Sequence, residues 1–350
     1  MPGRVTAGAA GGRDVGITLN KGVNEMELHT IFGTGPLGLF TARALLEDGK
    51  RVRVVNRTGT LDAPRALVMA PWTAADVEVV QGDALDPGQV RAAAQGASHI
   101  YHCANPLYHQ WAELLPPMQT NVIAAALEQK AVLGLTENLY MYARGVSPIT
   151  LQTPVDPPTR KGRIRQELHE QLLRAQAEDG LVWTSIRGSD YYGPGATGQS
   201  VFGTDYFLNP LIQSKRVSLM GDPDALHSYT YAGDFGRALV LAVRSPRAHG
   251  KAWIVAHREK TTTRDVALEF RKQAGSRSTI GRLPTGMLRL LGLVNPQVRE
   301  LLEMMYQKQE AYLVSGEDFE REFGFVPVSL QEGVASTLEW YRMWRAQRGD

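Results

Sequence analysis

Residues 28–38 read Leu-His-Thr-Ile-Phe-Gly-Thr-Gly-Pro-Leu-Gly. A short run of strand character, Leu28 to Phe32, interrupted by His29 and Thr30, meets a G-x-G-x-x-G. A helical stretch then continues to about Asp48. The glycine spacing alone is a weak signal; its place between an expected strand and an expected helix gives it meaning. Gly33 allows a tight turn, Gly35 lets a pyrophosphate approach the backbone, and Gly38 lets the helix lie close on the strand. The first turn of such a helix offers unpaired N–H groups and the positive end of its dipole, and both suit phosphate oxygens. The plainer alternative is a strand-to-helix turn that needs glycines for its shape. Dinucleotide binding by Gly33, Thr34, Gly35, Pro36, Leu37 and Gly38 is the expectation.

Outward from this loop the pattern repeats. Arg51 to Asn56 is a β-branched strand, Val77 to Val80 another, and His99 to Cys103 a fourth; Val132 to Tyr142 contains a fifth. Helix-length segments, Gly88 to Gln95 and Pro116 to Gln129, separate several of them. Arg160 to Glu178 is an amphipathic helix through Ile164, Leu168, Leu172 and Ala175, stopped by Gly180 and followed by a strand from Val182 to Ile186. Strand–helix alternation of this kind predicts an α/β fold, a Rossmann-type doubly wound parallel sheet. Beyond about residue 195, Gly and Pro punctuate shorter elements, which predicts a smaller C-terminal substrate lobe. The expected organisation is a dinucleotide domain over 26–190, with 228–257 rejoining the sheet, and a substrate-binding lobe over 191–227 and 258–350. Residues 1–25 lack apolar periodicity and a signal-peptide core, so they are expected to be a disordered extension, with Met26 an alternative start.

The end of the second strand bears on the cofactor. NAD-binding folds place an acid there, about 20 residues after the loop, to hold the ribose 2′-hydroxyl. Here Asn56 and Arg57 stand in that place and no acid occurs before Asp62. Arg57 could pair with a 2′-phosphate as a charge-assisted fork, or be a solvated arginine at a strand end. NADP is expected ahead of NAD.

With these residues in place, the chain from about Leu28 onward resembles the NAD(P)-dependent epimerase/dehydratase family, the extended and atypical short-chain dehydrogenases/reductases. Gly82-Asp83-Ala84-Leu85-Asp86 resembles the family's adenine-contacting turn, and Ala104-Asn105-Pro106 lies where its backbone lines the cofactor. Arg187 to Gly195 resembles the R-x-x-x-x-Y-G-P-G after the sixth strand, and Tyr231-Ala232-Gly233-Asp234 resembles the start of a late helix. The resemblance implies cofactor contacts from Asp83, Ala84, Ala104 and Asn105, a substrate pocket beginning at Tyr191 and Tyr192, and a fold that allows a homodimer.

The catalytic residues depart from the family. Active members carry Ser or Thr after the fifth strand and Tyr-x-x-x-Lys on the next helix, where the tyrosine exchanges a proton and the lysine lowers its pKa and holds the ribose. Aligned on Tyr142, this chain has Asn138 at the serine position, Lys161 for the tyrosine and Arg165 for the lysine. Asn138-Leu139-Tyr140-Met141-Tyr142 and Arg160-Lys161-Gly162 are similar to an atypical subgroup. Tyr140 is the expected proton donor, its pKa lowered by Lys161 or Arg165; Lys161 is expected to contact cofactor or reacting atoms, and Asn138 to hydrogen-bond a carbonyl. Tyr140 and Tyr142 covering the sheet edge is the alternative. Two functions follow: an NADP-dependent oxidoreductase on a small or mid-sized carbonyl, alcohol or sugar-derived substrate, or a non-catalytic dinucleotide sensor similar to NmrA-like regulators.

Other classes are disfavoured. A net charge of +2 offers no excess for nucleic acid or membrane. One cysteine, Cys103, excludes an internal disulfide and suits a reducing, cytoplasmic setting. His102, His109 and His227 form no metal-binding spacing, G-x-S-x-G is absent, and Cys103 is expected to pack as a small apolar residue. The amphipathic segments Arg282 to Leu293 and Val298 to Tyr306 are expected to close over the substrate site rather than to lie on a membrane.

Overall fold

The computed structural model describes residues 27–197, 200–294 and 296–348; the expected extension, 1–25, lies outside the described residues. In chain order the strands are β1 (Leu28–Phe32), β2 (Arg51–Asn56), β3 (Glu78–Gln81), β4 (Ala97–His102), β5 (Val132–Glu137) and β6 (Trp183–Gly188). Then come β7 (Asp190–Tyr192), β8 (Val217–Leu219), β9 (Tyr229–Tyr231), β10 (Lys251–Val255) and β11 (Ile280–Arg282). Seven of them form one parallel sheet in the order β10-β6-β5-β4-β1-β2-β3, while β7 pairs with β9 and β8 with β11 outside it. Every residue of β1 is buried, because a central parallel strand is covered on both faces. Of the two polar residues that interrupt its apolar run, His29 finds a buried partner, its Nδ1 lying 3.0 Å from the Tyr101 hydroxyl.

The first six helices are α1 (Pro36–Glu47), α2 (Ala63–Ala66), α3 (Pro87–Ala94), α4 (Trp111–Gln129), α5 (Arg160–Asp179) and α6 (Asn209–Ile212). The second six are α7 (Ala232–Val243), α8 (Thr263–Gln273), α9 (Thr285–Val294), α10 (Pro296–Leu302), α11 (Glu317–Phe323) and α12 (Leu330–Arg348). α1 and α7 pack side by side on one face of the sheet, and α3, α4 and α5 cover the other. α4 begins at Trp111, ahead of the expected Pro116, so Pro116 and Pro117 lie inside it. The carbonyls they leave without N–H partners belong to Ala112 and Glu113, both solvent-exposed residues.

The chain runs outward from β1 through β2 to β3, then crosses back to β4 on the other side of β1. Such a reversal opens a crevice at the carboxyl ends of the strands, where doubly wound sheets bind ligands. Two later segments reach this crevice. α12 lies against α8 and against Leu67–Met69, while α9 and α10 form a helical hairpin whose α10 packs on Tyr108–Gln110. Among the described residues no helix is long and apolar enough to cross a membrane.

Candidate active site

A cleft of about 980 Å³ runs along the carboxyl ends of the strands, from the loop after β1 to a tyrosine-lined pocket beside β7. Gly33 adopts φ +107°, and a Cβ there would come within 2.6 Å of the Ala104 backbone nitrogen. A Cβ on Gly38 would collide with the Gly33 carbonyl, so this glycine sets the closeness of α1 to the loop. At Gly35 a Cβ would meet nothing within 4 Å: the space above the helix start is open. α1 has Gly35 as N-cap with no side-chain hydrogen bond and Pro36 in its first turn, so its leading N–H groups face the cleft without a protein partner. Gly33, Thr34, Gly35, Pro36 and Leu37 line that cleft, and these features fit a pyrophosphate.

Asn56, Arg57, Asp83 and Ala84 also line it. Asn56 is committed to the loop: its Oδ1 accepts from the backbone of Thr58 and Gly59, and its Nδ2 donates to the Thr60 carbonyl and to Thr34 Oγ1. It shapes the turn that presents Arg57. The nearest acid, Asp62, accepts from the Arg65 N–H as the N-cap of α2. Arg65 and Arg348 line the same cleft as Arg57, Arg348 lying 4.7 Å over the Trp344 ring of α12. Neither was singled out from the sequence; they lie in segments that only the fold brings here. Asp83 Oδ1 accepts from the Leu85 N–H, which holds its turn closed.

The other end is walled by Tyr108, Trp111, Tyr140, Tyr191 and Tyr312, with Asn138 at the join. The Tyr108 and Tyr140 hydroxyls share a hydrogen bond of 2.7 Å. Asn138 Oδ1 accepts from the Tyr140 N–H at 3.3 Å. Gly162, in the first turn of α5, lets that helix press on the Tyr140 backbone, since a Cβ would strike its carbonyl oxygen. The expected fall in the Tyr140 pKa is overturned. Burial, then the neighbouring Tyr108 and Asp190, push Tyr140 well above the ordinary tyrosine range, and burial pushes Tyr108 to about 12.

Lys161 is also corrected. It is buried away from the cleft, its Nζ donating to Glu303 at 2.8 Å and to Glu300 of α10, behind the Tyr108 ring. One helical turn on, Arg165 takes the position at the cleft. It donates to Asn105 Oδ1 at 3.0 Å and lies 4.3 Å over Trp111, and its buried Nε has no protein partner. Asn105 and Ala104 line the cleft beside it. Tyr191 lines the pocket, but Tyr192 does not: it is wholly buried among Phe202, Tyr231 and Phe270, beneath Gly333 of α12.

Three groups absent from the sequence expectations form a largely buried cluster at the wall of this pocket, of which Asp190 lines the cleft. Asp190 Oδ2 lies 2.9 Å from His227 Nε2 and accepts from Lys308 Nζ, while His227 Nδ1 lies 3.0 Å from the Gln307 carbonyl. Burial would raise the Asp190 pKa, but Lys308 and His227 outweigh it and hold the carboxyl well below the usual range. Asp190 sits inside the Arg187–Gly195 motif, the one signal that could have drawn attention to it. Glu137 also lines the cleft; it accepts from Arg187 Nε at 3.0 Å and from the Ser185 hydroxyl at 2.7 Å, and Arg187 donates to the Tyr142 hydroxyl at 2.7 Å. Cys103 lines the cleft as a thiol that burial pushes up to about 12.

At the amino ends of the central strands β1 and β4, away from the cleft, Glu27, His29 and His99 bring ligand-type atoms within 4.8 Å of one another. The two imidazoles are stacked within 5° of parallel, so their nitrogens lie side by side rather than aimed at a common point, and Lys50 holds Glu27.

Residues 33–256 match the NAD dependent epimerase/dehydratase family. The chain is 25% identical over 328 residues to a ceramide reductase from Caulobacter vibrioides (strain NA1000 / CB15N), covering 88% of this chain and 92% of that one. It is 26% identical over 211 residues to 3beta-hydroxysteroid-dehydrogenase/decarboxylase isoform 2 from Arabidopsis thaliana. That match takes in 52% of this chain but only 35% of the plant protein. A solved UDP-glucuronic acid 4-epimerase from Bacillus cereus, in complex with NAD, superposes with TM-score 0.72 at 14% identity, over 91% of this chain and 99% of that one. With the glycine loop, the parallel sheet and the cleft in the positions described, the chain belongs to the NAD dependent epimerase/dehydratase family.

Proposed function

We propose that this protein is an NADP(H)-dependent oxidoreductase that reduces a ketone on an apolar or mid-sized molecule to the secondary alcohol. The observation that carries the reading is the continuity of the cleft. The phosphate loop opens directly into a pocket walled by tyrosines, with Asn138 and Tyr140 where the two meet. A pocket of mostly aromatic surface with a few placed polar groups suits such a molecule. The names of two relatives, a ceramide reductase and a hydroxysteroid dehydrogenase, support the same class.

The first turn of α1 would hold the pyrophosphate, and Arg57, just after β2, the 2′-phosphate. Arg165 would donate to the ribose beside the nicotinamide, in place of the family's lysine. The nicotinamide, when bound, supplies a hydride. Asn138 donates a hydrogen bond to the ketone oxygen. Tyr140 gives that oxygen its proton as negative charge develops, Tyr108 passes one to Tyr140 across their shared hydrogen bond, and solvent water entering the cleft restores the proton of Tyr108. Raised pKa values keep both hydroxyls protonated at neutral pH, so each stands as a donor toward a ketone oxygen while being a weaker acid than a free tyrosine.

A panel of long-chain and polycyclic ketones, with NADPH consumption followed by absorbance, tests this. Tyr140→Phe should lower kcat by about 100-fold or more while leaving NADPH affinity intact. The withdrawal of Lys161 into its ion pair with Glu300 and Glu303 favours a second reading, a dinucleotide sensor. NADPH binding with no turnover of any ketone would select it.

A further inference from the structure

Helix α9 turns an apolar face to solvent. Met287, Leu290, Leu293 and Val294 are 51%, 66%, 77% and 82% exposed, while Leu288 is buried. Positions 287, 290 and 294 form one helical stripe with Leu293 at its side. Single exposed apolar residues need no explanation, but four on one short helix make a patch.

The charge carried by this segment has one sign. From residue 282 to residue 299 the sequence holds three arginines, Arg282, Arg289 and Arg299, and no Asp or Glu. Arg282 and Arg299 are exposed. The next acids, Glu300 and Glu303, are neutralised on the inner side by Arg160 and Lys161. A second copy of this chain placed symmetrically on the patch would set arginines against arginines. An anionic lipid surface would pair with them and take up the four side chains together.

The patch is joined to the active site. α10 packs on Tyr108–Gln110, and Met304, just beyond α10, is buried with Trp111, Leu115 and Tyr140. We propose that the α9–α10 hairpin docks this protein on an anionic membrane surface, with the tyrosine-walled pocket beside the lipid. This departs from the sequence expectation of no membrane partner, which weighed the sparse basic residues without knowing which apolar ones face outward. The docking stands apart from the proposed reaction; delivery of an apolar ketone from lipid to pocket rests on that reading.

Co-sedimentation of the full chain with phosphatidylcholine vesicles, with and without phosphatidylglycerol, tests the docking. Protein should sediment with the mixed vesicles, be released at about 1 M salt, and stay in solution with phosphatidylcholine alone. The Leu290→Asp/Leu293→Asp variant should bind the mixed vesicles at least about tenfold less, with its NADPH affinity unchanged as proof of an intact fold. Failure of the wild type to sediment, equal sedimentation with neutral vesicles, or unaltered binding by the variant would each overturn the proposal. So would light scattering that finds a dimer which the variant splits, because the face would then belong to a second copy. A wild type that binds NADPH but no vesicles would sink the docking alone; a wild type that binds vesicles but no NADPH would sink the cofactor assignment alone.

Discussion

The two ends of the cleft are built from different materials. At the dinucleotide end the protein works with its backbone: Gly33, Gly35 and Gly38 lie within six residues, and what matters is where they lack a Cβ. At the pocket end it works with side chains drawn from distant segments, Tyr108, Tyr140, Arg165, Asp190, His227, Lys308 and Tyr312, several of them paired through buried charge. The first kind of site survives most side-chain changes but not a Cβ in the wrong place. The second depends on every member having its partner, since a buried polar group without one is costly.

The most severe test of this contrast is Gly33→Val. A β-branched residue at φ +107°, with its Cβ against the Ala104 backbone, should cost on the order of 4 kcal/mol or more and abolish NADPH binding. Thermal unfolding and calorimetric titration would show both. Retained binding would break the claim that backbone shape makes this end. At the other end, Glu137→Gln leaves the Arg187 guanidinium buried beside a neutral amide. The expected loss is about 3 kcal/mol in denaturant unfolding, with NADPH affinity preserved once the protein is folded.

Acid should act more gently. Burial holds His102, at the end of β4, to a pKa of about 4 and His29 to about 3, both below the ordinary histidine value. Below about pH 6.5 the unfolded chain takes up protons that the folded chain refuses, so stability falls as pH drops towards the folded pKa. By pH 5 each histidine should account for about 2 kcal/mol. His102→Gln should flatten the decline in Tm between pH 7 and 5; an unchanged slope would place the acid sensitivity elsewhere.

The same contrast explains what could be read from sequence. The parallel sheet and the phosphate loop follow from local spacing, because glycines and β-branched runs impose their geometry on neighbouring residues. Which residue of Lys161 and Arg165 faces the cleft does not. It is decided by Glu300 of α10 and Glu303 just after it, which lie far along the chain and draw Lys161 away. Tyr192 fits its motif as well as Tyr191 does, yet α12 closes over it, and nothing near residue 192 signals that α12 arrives there. The Asp190–His227–Lys308 cluster and the Arg348 that lines the same cleft as Arg57 were hidden for the same reason: each joins elements that only the completed fold brings together.

The most direct test of the cofactor assignment is calorimetric titration of the protein with NADPH and with NADH, repeated on Arg57→Ala. One charge-assisted contact to a phosphate is worth about 1.5–3 kcal/mol. NADPH should therefore bind more tightly than NADH, and Arg57→Ala should weaken NADPH by at least about tenfold while leaving NADH unchanged. Equal affinities for the two nucleotides, or an Arg57→Ala variant that still prefers NADPH, would contradict the assignment.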